Sequence, residues 1–164
     1  MDSDRLVLRS YLKSGEDKRI REITESFEDF YPQEVDVAEE LANASIEIGP
    51  DKSGYHFLLY ENNNEIIGYA CFGPIACTKN SFDLYWIVID NKYRTMGIGK
   101  KLLLETEEKI FNLGGKKIYV ETSSRNSYYP TRQFYIKNGY KEEAILKDFY
   151  DDDDNKVIYV KSLE

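Results

Sequence analysis

The chain has 164 residues, with 22 Lys+Arg against 30 Asp+Glu and a formal net charge of −8 at pH 7, a length that suits one domain with a substantial core. A hydrophobic fraction of 41% excludes a disordered chain, and the acidic balance argues against nucleic-acid or anionic-lipid partners, because both carry phosphate. No apolar run approaches the roughly 20 residues of a membrane span, and the first residues lack the order of a secretory signal, which favours a cytoplasmic protein.

The first 50 residues predict one strand followed by two helices. Residues 6–12 alternate between apolar and polar as a strand does, and Gly15 ends the run. Apolar residues then recur at helical spacing, and Pro32 suits the first turn of a second helix. The two helical faces comprise Ile20, Ile23 and Phe27, then Val35, Ala38, Leu41 and Ala42. Gly49-Pro50 ends this region.

From Tyr55 the periodicity becomes that of strands. Two β-rich runs, Tyr55–Tyr60 and Ile66–Phe72, flank Asn62–Asn64, which tolerates the positive φ of a tight turn, so a hairpin is predicted. The most apolar strand, Asp83–Asp90, follows. A helix is predicted over Gly97–Leu113. Its buried face comprises Ile98, Leu102, Leu103, Ile110 and Leu113, and Gly114-Gly115 ends it.

The last third of the chain predicts a strand, a short helix and two further strands. These elements are Lys117–Thr122, Thr131–Asn138, Glu142–Phe149 and Lys156–Lys161, with an acidic turn at Asp151–Asn155 before the last strand. A hairpin that leads into a strand-helix-strand unit predicts a mixed α/β sheet in one domain over residues 1–164. Strands and helices do not alternate throughout, so a doubly wound nucleotide fold is not expected.

Few residues of the chain are suited to metal binding or nucleophilic catalysis. The only histidine, His56, lies in an apolar run typical of a strand, which we prefer to a role as catalytic base. Cys71 and Cys77 are interpreted as reduced, partly buried thiols, and no zinc-ligand spacing is present. The acidic run Asp151–Asn155 lacks the glycine and distal glutamate of a calcium loop, so it is interpreted as an exposed turn and no metal is expected.

The most informative segment joins the apolar strand that ends at Asp90 to the following helix. It reads Arg94-Thr95-Met96-Gly97-Ile98-Gly99. Two glycines allow a ligand to approach the backbone closely, and the start of a helix offers free N–H groups to an anion. With Lys100 and Lys101 adding positive charge, the segment predicts a phosphate-bearing cofactor; the alternative is a tight turn with no ligand. The Walker pattern is absent, and a dinucleotide fingerprint would need glycine at Leu102.

These residues resemble a known family. R-x-x-G-x-G after an apolar strand is similar to the pyrophosphate-binding motif of the GNAT superfamily of acyl-CoA-dependent N-acyltransferases. The segment from Phe134-Tyr135 to Gly139-Tyr140 is similar to the family's F-Y-x-x-x-G-[FY] segment, and the order of elements matches. The resemblance implies a mixed, mostly antiparallel sheet of about seven strands with about four helices. It also implies acetyl-CoA, or a related acyl-CoA, as the donor.

The resemblance further implies where the donor lies. In such enzymes the central strand splays from its neighbour and its backbone pairs with the pantetheine arm, a role that falls here on Ile87, Val88 and Ile89. The pyrophosphate is expected on the backbone of the glycine loop. The loop residues are Arg94, Thr95, Met96, Gly97, Ile98, Gly99 and Lys100. Asn126, which follows the strand containing Glu121, matches a frequent family contact to the cofactor.

Acetyl transfer to an amine calls for a base and an acid, because a lysine-like ammonium has a pKa of about 10.4 and only the neutral amine attacks. The resemblance places Tyr135 at the position of the acid; aromatic packing is its alternative. Glu121 matches the base of some relatives and is ranked first. Asp83 is ranked second, as a carboxylate that accepts a proton through water. The alternative for Asp83 is a solvated carboxylate at the end of a strand. Tyr85 and Tyr128 are candidate lining residues.

The leading hypothesis is therefore an N-acetyltransferase in which an amine attacks acetyl-CoA directly. A small-molecule amine is the preferred acceptor, and a peptide N-terminus or protein lysine is the nearest enzymatic alternative. A non-catalytic acyl-CoA-binding sensor of the same fold is a second hypothesis, and a P-loop or dinucleotide enzyme a third. No nucleic-acid or membrane partner is expected, and the protein is expected to be a monomer or a homodimer.

Overall fold

A computed structural model describes residues 5–164, and its elements follow the predicted order with one short helix added. The strands are β1 (Leu6–Arg9), β2 (His56–Asn62), β3 (Glu65–Pro74), β4 (Ser81–Ile89), β5 (Lys117–Ser123), β6 (Lys141–Asp151) and β7 (Asp154–Ser162). The helices are α1 (Asp17–Glu25), α2 (Pro32–Ile48), α3 (Pro50–Ser53), α4 (Ile98–Asn112) and α5 (Tyr129–Lys137). Within residues 5–164 no helix is long and apolar enough to cross a membrane.

The seven strands form one mixed sheet in the order β1-β2-β3-β4-β5-β7-β6. The pair β4–β5 is parallel, as its connection through α4 requires, whereas β1–β2, β2–β3, β5–β7 and β6–β7 are antiparallel. The predicted mixed α/β sheet of seven strands is thus confirmed. The helices in residues 5–164 number five rather than four. The fifth is the single turn α3, because Gly49 at φ 82° ends α2 and Pro50 then starts a new turn.

The β2–β3 hairpin follows from its asparagines. Asn63 and Asn64 have φ of 51° and 63°, the left-handed pair that a two-residue type I′ turn requires. Asn62 pairs with Glu65 directly beside the turn. The predicted hairpin is confirmed.

Two predicted segment bounds and the predicted burial of one residue are wrong. β1 ends at Arg9 rather than residue 12, because Arg9 Nη1 donates to the Tyr11 carbonyl at 2.9 Å and the chain turns there. Leu113 is 42% exposed, since it lies past the last residue of α4. The acidic turn is shorter than expected, because Asp154 is already part of β7 and is buried.

The chain divides into two compact units, and the division passes through β4. The first comprises the residues up to Gly73 and Trp86–Glu108, and the second Pro74–Tyr85 and Lys109–Glu164. The first has β2, β3 and the inner face of α1 as its core, and the second has alternate residues of β5 and β7. The expectation of one domain over residues 1–164 stays a prediction.

In the first unit, an ion pair fixes the end of β4, where the glycine loop starts. Arg19 of α1 donates from Nη2 to Asp90 Oδ2 at 2.8 Å and from Nε to the Ile66 carbonyl at 3.0 Å. Asp90 is only 7% exposed. Its Oδ1 accepts from the Lys92 N–H at 3.1 Å, and its own N–H donates to the Ile67 carbonyl at 2.8 Å. The Arg19–Asp90 pair therefore links α1, β3 and the end of β4.

We expect Asp90→Asn to lower the free energy of unfolding by about 2 kcal/mol, because Arg19 then loses its buried counter-charge. Glu22→Gln is the matched control. Glu22 also pairs with Arg19, at 3.1 Å, but its side chain is 66% exposed. Its loss should cost no more than about 0.5 kcal/mol. Urea unfolding followed by circular dichroism measures both variants, and equal losses would contradict the structural role of the pair.

Candidate functional site

The glycine loop occupies the passage from β4 to α4 in the first unit. A 3-10 turn at Asn91–Tyr93 follows β4, and the chain then runs exposed through Arg94–Gly97 until the buried Ile98 starts α4. Gly97 has φ of 71°, which favours glycine because other residues adopt that conformation only with strain. The loop is thus exposed from Arg94 to Gly97, and the buried Ile98 fixes the start of α4.

The first turn of α4 leaves N–H groups without partners in the helix. The Lys101 N–H donates to the Gly97 carbonyl at 3.3 Å, so the preceding N–H groups, at Ile98, Gly99 and Lys100, have no carbonyl one turn earlier in α4. The positive end of the helix dipole lies at the same place. Lys100 is exposed beside it. This combination of donors and charge can bind a phosphate group.

The Arg94 side chain supports the loop rather than extending from it. Its Nε donates to the Ile89 carbonyl and its Nη2 to the Ser26 carbonyl, both at 3.2 Å, and its guanidinium lies 5.0 Å from the centre of the Phe27 ring. Ser26 also accepts, through Oγ, from the Asn91 N–H at 3.3 Å. Two of the three guanidinium nitrogens of Arg94 therefore hold the loop against β4 and the end of α1. Sequence reasoning missed Ser26, since nothing in a local pattern connects it to the loop.

The end of β4 approaches β3 closely. A Cβ at Gly68 would lie 2.5 Å from Ile89 Cδ1 and 3.3 Å from the Val88 carbonyl oxygen, so a larger residue there would force the Ile89 side chain to move. Val88 and Ile89 are buried and Ile87 is half-buried. The ladder between β4 and β5 ends at the pair Asp83–Tyr119, before these three residues are reached.

In the second unit, the two candidate bases lie on neighbouring strands and share one cation. Asp83 is half-buried at the end of the β4–β5 ladder, and burial, reinforced by the Glu121 charge, raises its pKa to about 6. Lys156 opposes this rise. Lys156 Nζ donates to Glu121 Oε2 at 2.8 Å, and the Glu121 side chain is half-exposed. The structure thus brings Asp83 and Glu121 into one electrostatic group.

Lys156 is a residue that sequence reasoning missed. Its place follows from the β5–β7 register, in which Ser123 pairs with Lys156 and Glu121 lies two residues earlier on the same face. That register joins parts of the chain far apart in sequence. Its only local signal is a lysine directly before the apolar run at residues 157–160.

Tyr135 is the buried aromatic residue of α5. Its ring makes edge contacts with Phe134 at 5.3 Å and Tyr140 at 5.4 Å. Within residues 5–164 its hydroxyl has no hydrogen-bond partner, and burial raises its pKa well above the usual range. The phenol therefore stays protonated at neutral pH and can donate.

Asn126 begins a 3-10 turn, Asn126–Tyr128, between β5 and α5, and is exposed. Arg132 fixes this connection by donating from Nη1 to the Ser123 and Arg125 carbonyls at 2.8 and 2.9 Å. Tyr128 is buried there, whereas Tyr85 is half-buried. In residues 5–164 no hydrogen bond or ion pair joins Asn126 or Tyr135 to the carboxylates of Asp83 and Glu121.

The histidine and the two cysteines have structural surroundings. His56 is a half-buried residue of β2 that stacks on Phe72 at 5.4 Å, so the strand interpretation is confirmed. Cys71 and Cys77 are both free thiols, but Cys71 is fully buried in β3 and Cys77 is exposed after it, rather than both being partly buried. In the described part of the chain no group of three or more His, Cys, Asp or Glu residues could hold a metal ion.

Comparison with known proteins identifies the family that shares this architecture. A family model described as an acetyltransferase (GNAT) domain matches residues 53–142. A GNAT-family protein of known structure from Desulfovibrio desulfuricans is 36% identical, with a TM-score of 0.92 over 96% of this chain and 98% of that one. A GNAT acetyltransferase from Elizabethkingia anophelis, solved with acetyl-CoA bound, is 18% identical, with a TM-score of 0.72 over 98% of this chain and all of that one (100%).

A curated relative, the uncharacterized N-acetyltransferase MJ1530 of Methanocaldococcus jannaschii, is 28% identical over 105 residues, or 64% of this chain. The chain spans 65% of that protein's length. The family model covers more than half of the chain, and the Desulfovibrio protein matches it nearly end to end. The chain belongs to the GNAT family of acetyltransferases.

Proposed function

We propose that this protein is an N-acetyltransferase that moves an acetyl group from acetyl-CoA to a primary amine. The observation that carries the proposal is the exposed glycine loop, whose unpaired N–H groups at Ile98, Gly99 and Lys100 suit a pyrophosphate. Membership of the GNAT family supports acetyl-CoA as the donor, as does the Elizabethkingia neighbour with acetyl-CoA bound.

The donor would lie along the residues expected from the sequence. The diphosphate would accept from the backbone of Arg94 through Lys100, while Ile87, Val88 and Ile89 would pair with the pantetheine arm. These three residues follow the end of the β4–β5 ladder, which is consistent with that role. Asn126, exposed before α5, is a further proposed contact to CoA.

The acceptor nitrogen loses two protons in the reaction and the leaving sulfur gains one. A carboxylate first accepts one ammonium proton through water. The neutral amine nitrogen then forms a bond to the thioester carbonyl carbon, the C–S bond breaks, the thiolate takes a proton from the Tyr135 hydroxyl, and the second nitrogen proton returns to the Tyr135 oxygen. Asp83, with its pKa raised to about 6, is ionised yet basic at neutral pH, whereas Glu121 is held by Lys156. The geometry therefore favours Asp83 as base over Glu121.

The acceptor that we propose is a small-molecule amine with a positive charge. Asp83 and Glu121 together carry one more negative charge than the single Lys156 cancels, so an ammonium is attracted to them. A peptide N-terminus or a protein lysine carries the same group and is the alternative acceptor. Action in the cytoplasm remains part of this proposal.

A thiol-release assay with acetyl-CoA and a panel of amines tests the function. The panel contains polyamines, amino sugars, amino acids, and peptides with a free N-terminus or a lysine. We expect release with at least one cationic small amine. CoA binding without turnover on any amine would overturn the enzyme proposal in favour of an acyl-CoA sensor.

Gly97→Ala should weaken CoA binding about tenfold, because a Cβ in the left-handed region strains the loop and turns its N–H groups. Gly54→Ala is the matched control: Gly54 has a similar φ of 79° and equally open space, but it ends α3 instead of the loop. Calorimetric titration with CoA compares the two. Equal losses of affinity, or none, would contradict the role of the loop.

Tyr135→Phe should lower kcat by about a hundredfold while leaving CoA affinity unchanged, because it removes the proton donor but keeps the ring. Tyr140→Phe, at the buried ring that contacts Tyr135, is the control and should keep kcat within a few-fold of the wild type. Steady-state kinetics and CoA titration measure both. Equal loss of turnover and affinity, or loss of neither, would refute the acid role.

A further inference from the structure

Strand β6 carries an irregularity beside the carboxylates. Leu146 pairs with Lys156 and Asp151 with Asp154, so four residues of β6 lie opposite a single residue of β7. Asp148, at φ 50°, forms the bend, and its N–H donates to Asn155 Oδ1 at 2.9 Å. Such bulges redirect side chains, and here Phe149 and Tyr150 are the residues redirected.

These two aromatic residues cover the Lys156 ammonium. Lys156 Nζ lies 3.7 Å from the centre of the Phe149 ring and 5.7 Å from that of Tyr150. Although Phe149 is itself half-exposed, Lys156 is only 9% exposed beneath it. The ring faces attract the cation and keep water from it, which strengthens its interaction with nearby carboxylates.

The covered ammonium acts unequally on the two carboxylates. It bonds directly to Glu121 at 2.8 Å but influences Asp83 only through its charge. The charged groups that face Asp83 are Glu121 on β5, which favours its protonated form, and Lys156 on β7, which favours its ionised form. Tyr119 is its partner in the ladder.

We propose that Lys156 is a positioning residue for acetyl transfer: it holds Glu121 in an ion pair and leaves Asp83 as the carboxylate that accepts the proton. The inference rests on the proposed function and adds to it a residue that never touches the reacting atoms. Its action depends on the β6 bulge, which supplies the aromatic cover.

The first test is the pH profile of kcat. In the wild type, kcat should rise with pH as Asp83 loses its proton, with a midpoint near its pKa of about 6. Lys156→Met removes the charge that favours the ionised form, so the midpoint should move up by about one pH unit, and kcat at pH 6 should fall about fivefold. Lys156→Arg should restore the wild-type midpoint. The KM for acetyl-CoA should not change.

Lys161→Met is the matched control. Lys161 is another lysine of β7 whose ammonium lies against an aromatic ring, 5.5 Å from the centre of Tyr140, and donates to the Asn138 carbonyl at 2.9 Å. It has no ion pair with Asp83 or Glu121. A purely structural loss would affect both methionine variants alike, whereas the proposal requires the midpoint to move only in Lys156→Met.

A second test does not depend on turnover. The side-chain carboxyl ¹³C resonance of Asp83, assigned with Asp83→Asn, reports its titration directly by NMR. Its midpoint should rise in Lys156→Met and fall in Glu121→Gln, which removes a like charge and keeps an amide oxygen that can accept from the Lys156 ammonium. Even if Lys156→Met fails to fold, Glu121→Gln and Lys156→Arg still test the coupling.

Unchanged Asp83 midpoints in Glu121→Gln and Lys156→Met overturn the proposal, whether or not the protein acetylates an amine. If no amine in the panel is acetylated while the midpoints move as expected, the proposed function fails and the coupling of the three groups stands. If kcat follows the Asp83 midpoint across the variants, the proposed function and the positioning role of Lys156 are both supported.

Discussion

The glycine loop depends on the Arg19–Asp90 pair. A carboxylate as buried as Asp90 is costly unless it is paired and hydrogen-bonded, and here a guanidinium and a backbone N–H satisfy it. Because Arg19 belongs to α1, the position of the loop depends on the packing of α1 beside the start of β3 and the end of β4. Arg94 repeats the arrangement from the other side by donating to Ser26 at the end of the same helix. The loop therefore takes its shape from α1.

The distribution of charge explains how an acidic chain can offer an anion site. Arg9, Arg19 and Arg21 each pair with two or more carboxylates, so their charge is neutralised within the protein. Lys100 is exposed at the start of α4, and no ion pair within residues 5–164 engages it. The net charge of −8 thus disfavours long polyanions, while a single small polyphosphate meets local positive charge and unpaired N–H groups.

Local patterns in the sequence were enough to predict the sheet, four of the helices and the glycine loop, because periodicity, asparagine turns and glycine placement act over a few residues. They could not predict α3, whose single turn has no periodicity, or the support of the loop by Ser26, which lies on another element. Local patterns could not predict the ion-pair partner of Glu121 either. Lys156 reaches it only through the β5–β7 register and the β6 bulge, and both are set by long-range pairing.

Two carboxylates on neighbouring strands with one ammonium can divide the tasks of an acetyl transfer. If both were ionised without Lys156, their repulsion at half-buried positions would raise the pKa of one of them further. With Lys156 bonded to Glu121, the pair keeps one neutralised carboxylate and one that titrates near neutral pH, where it can both attract an ammonium and accept its proton. The aromatic cover matters because water around Lys156 would weaken this distinction. Under the proposed function, a bulge in an edge strand thereby determines which carboxylate is the base.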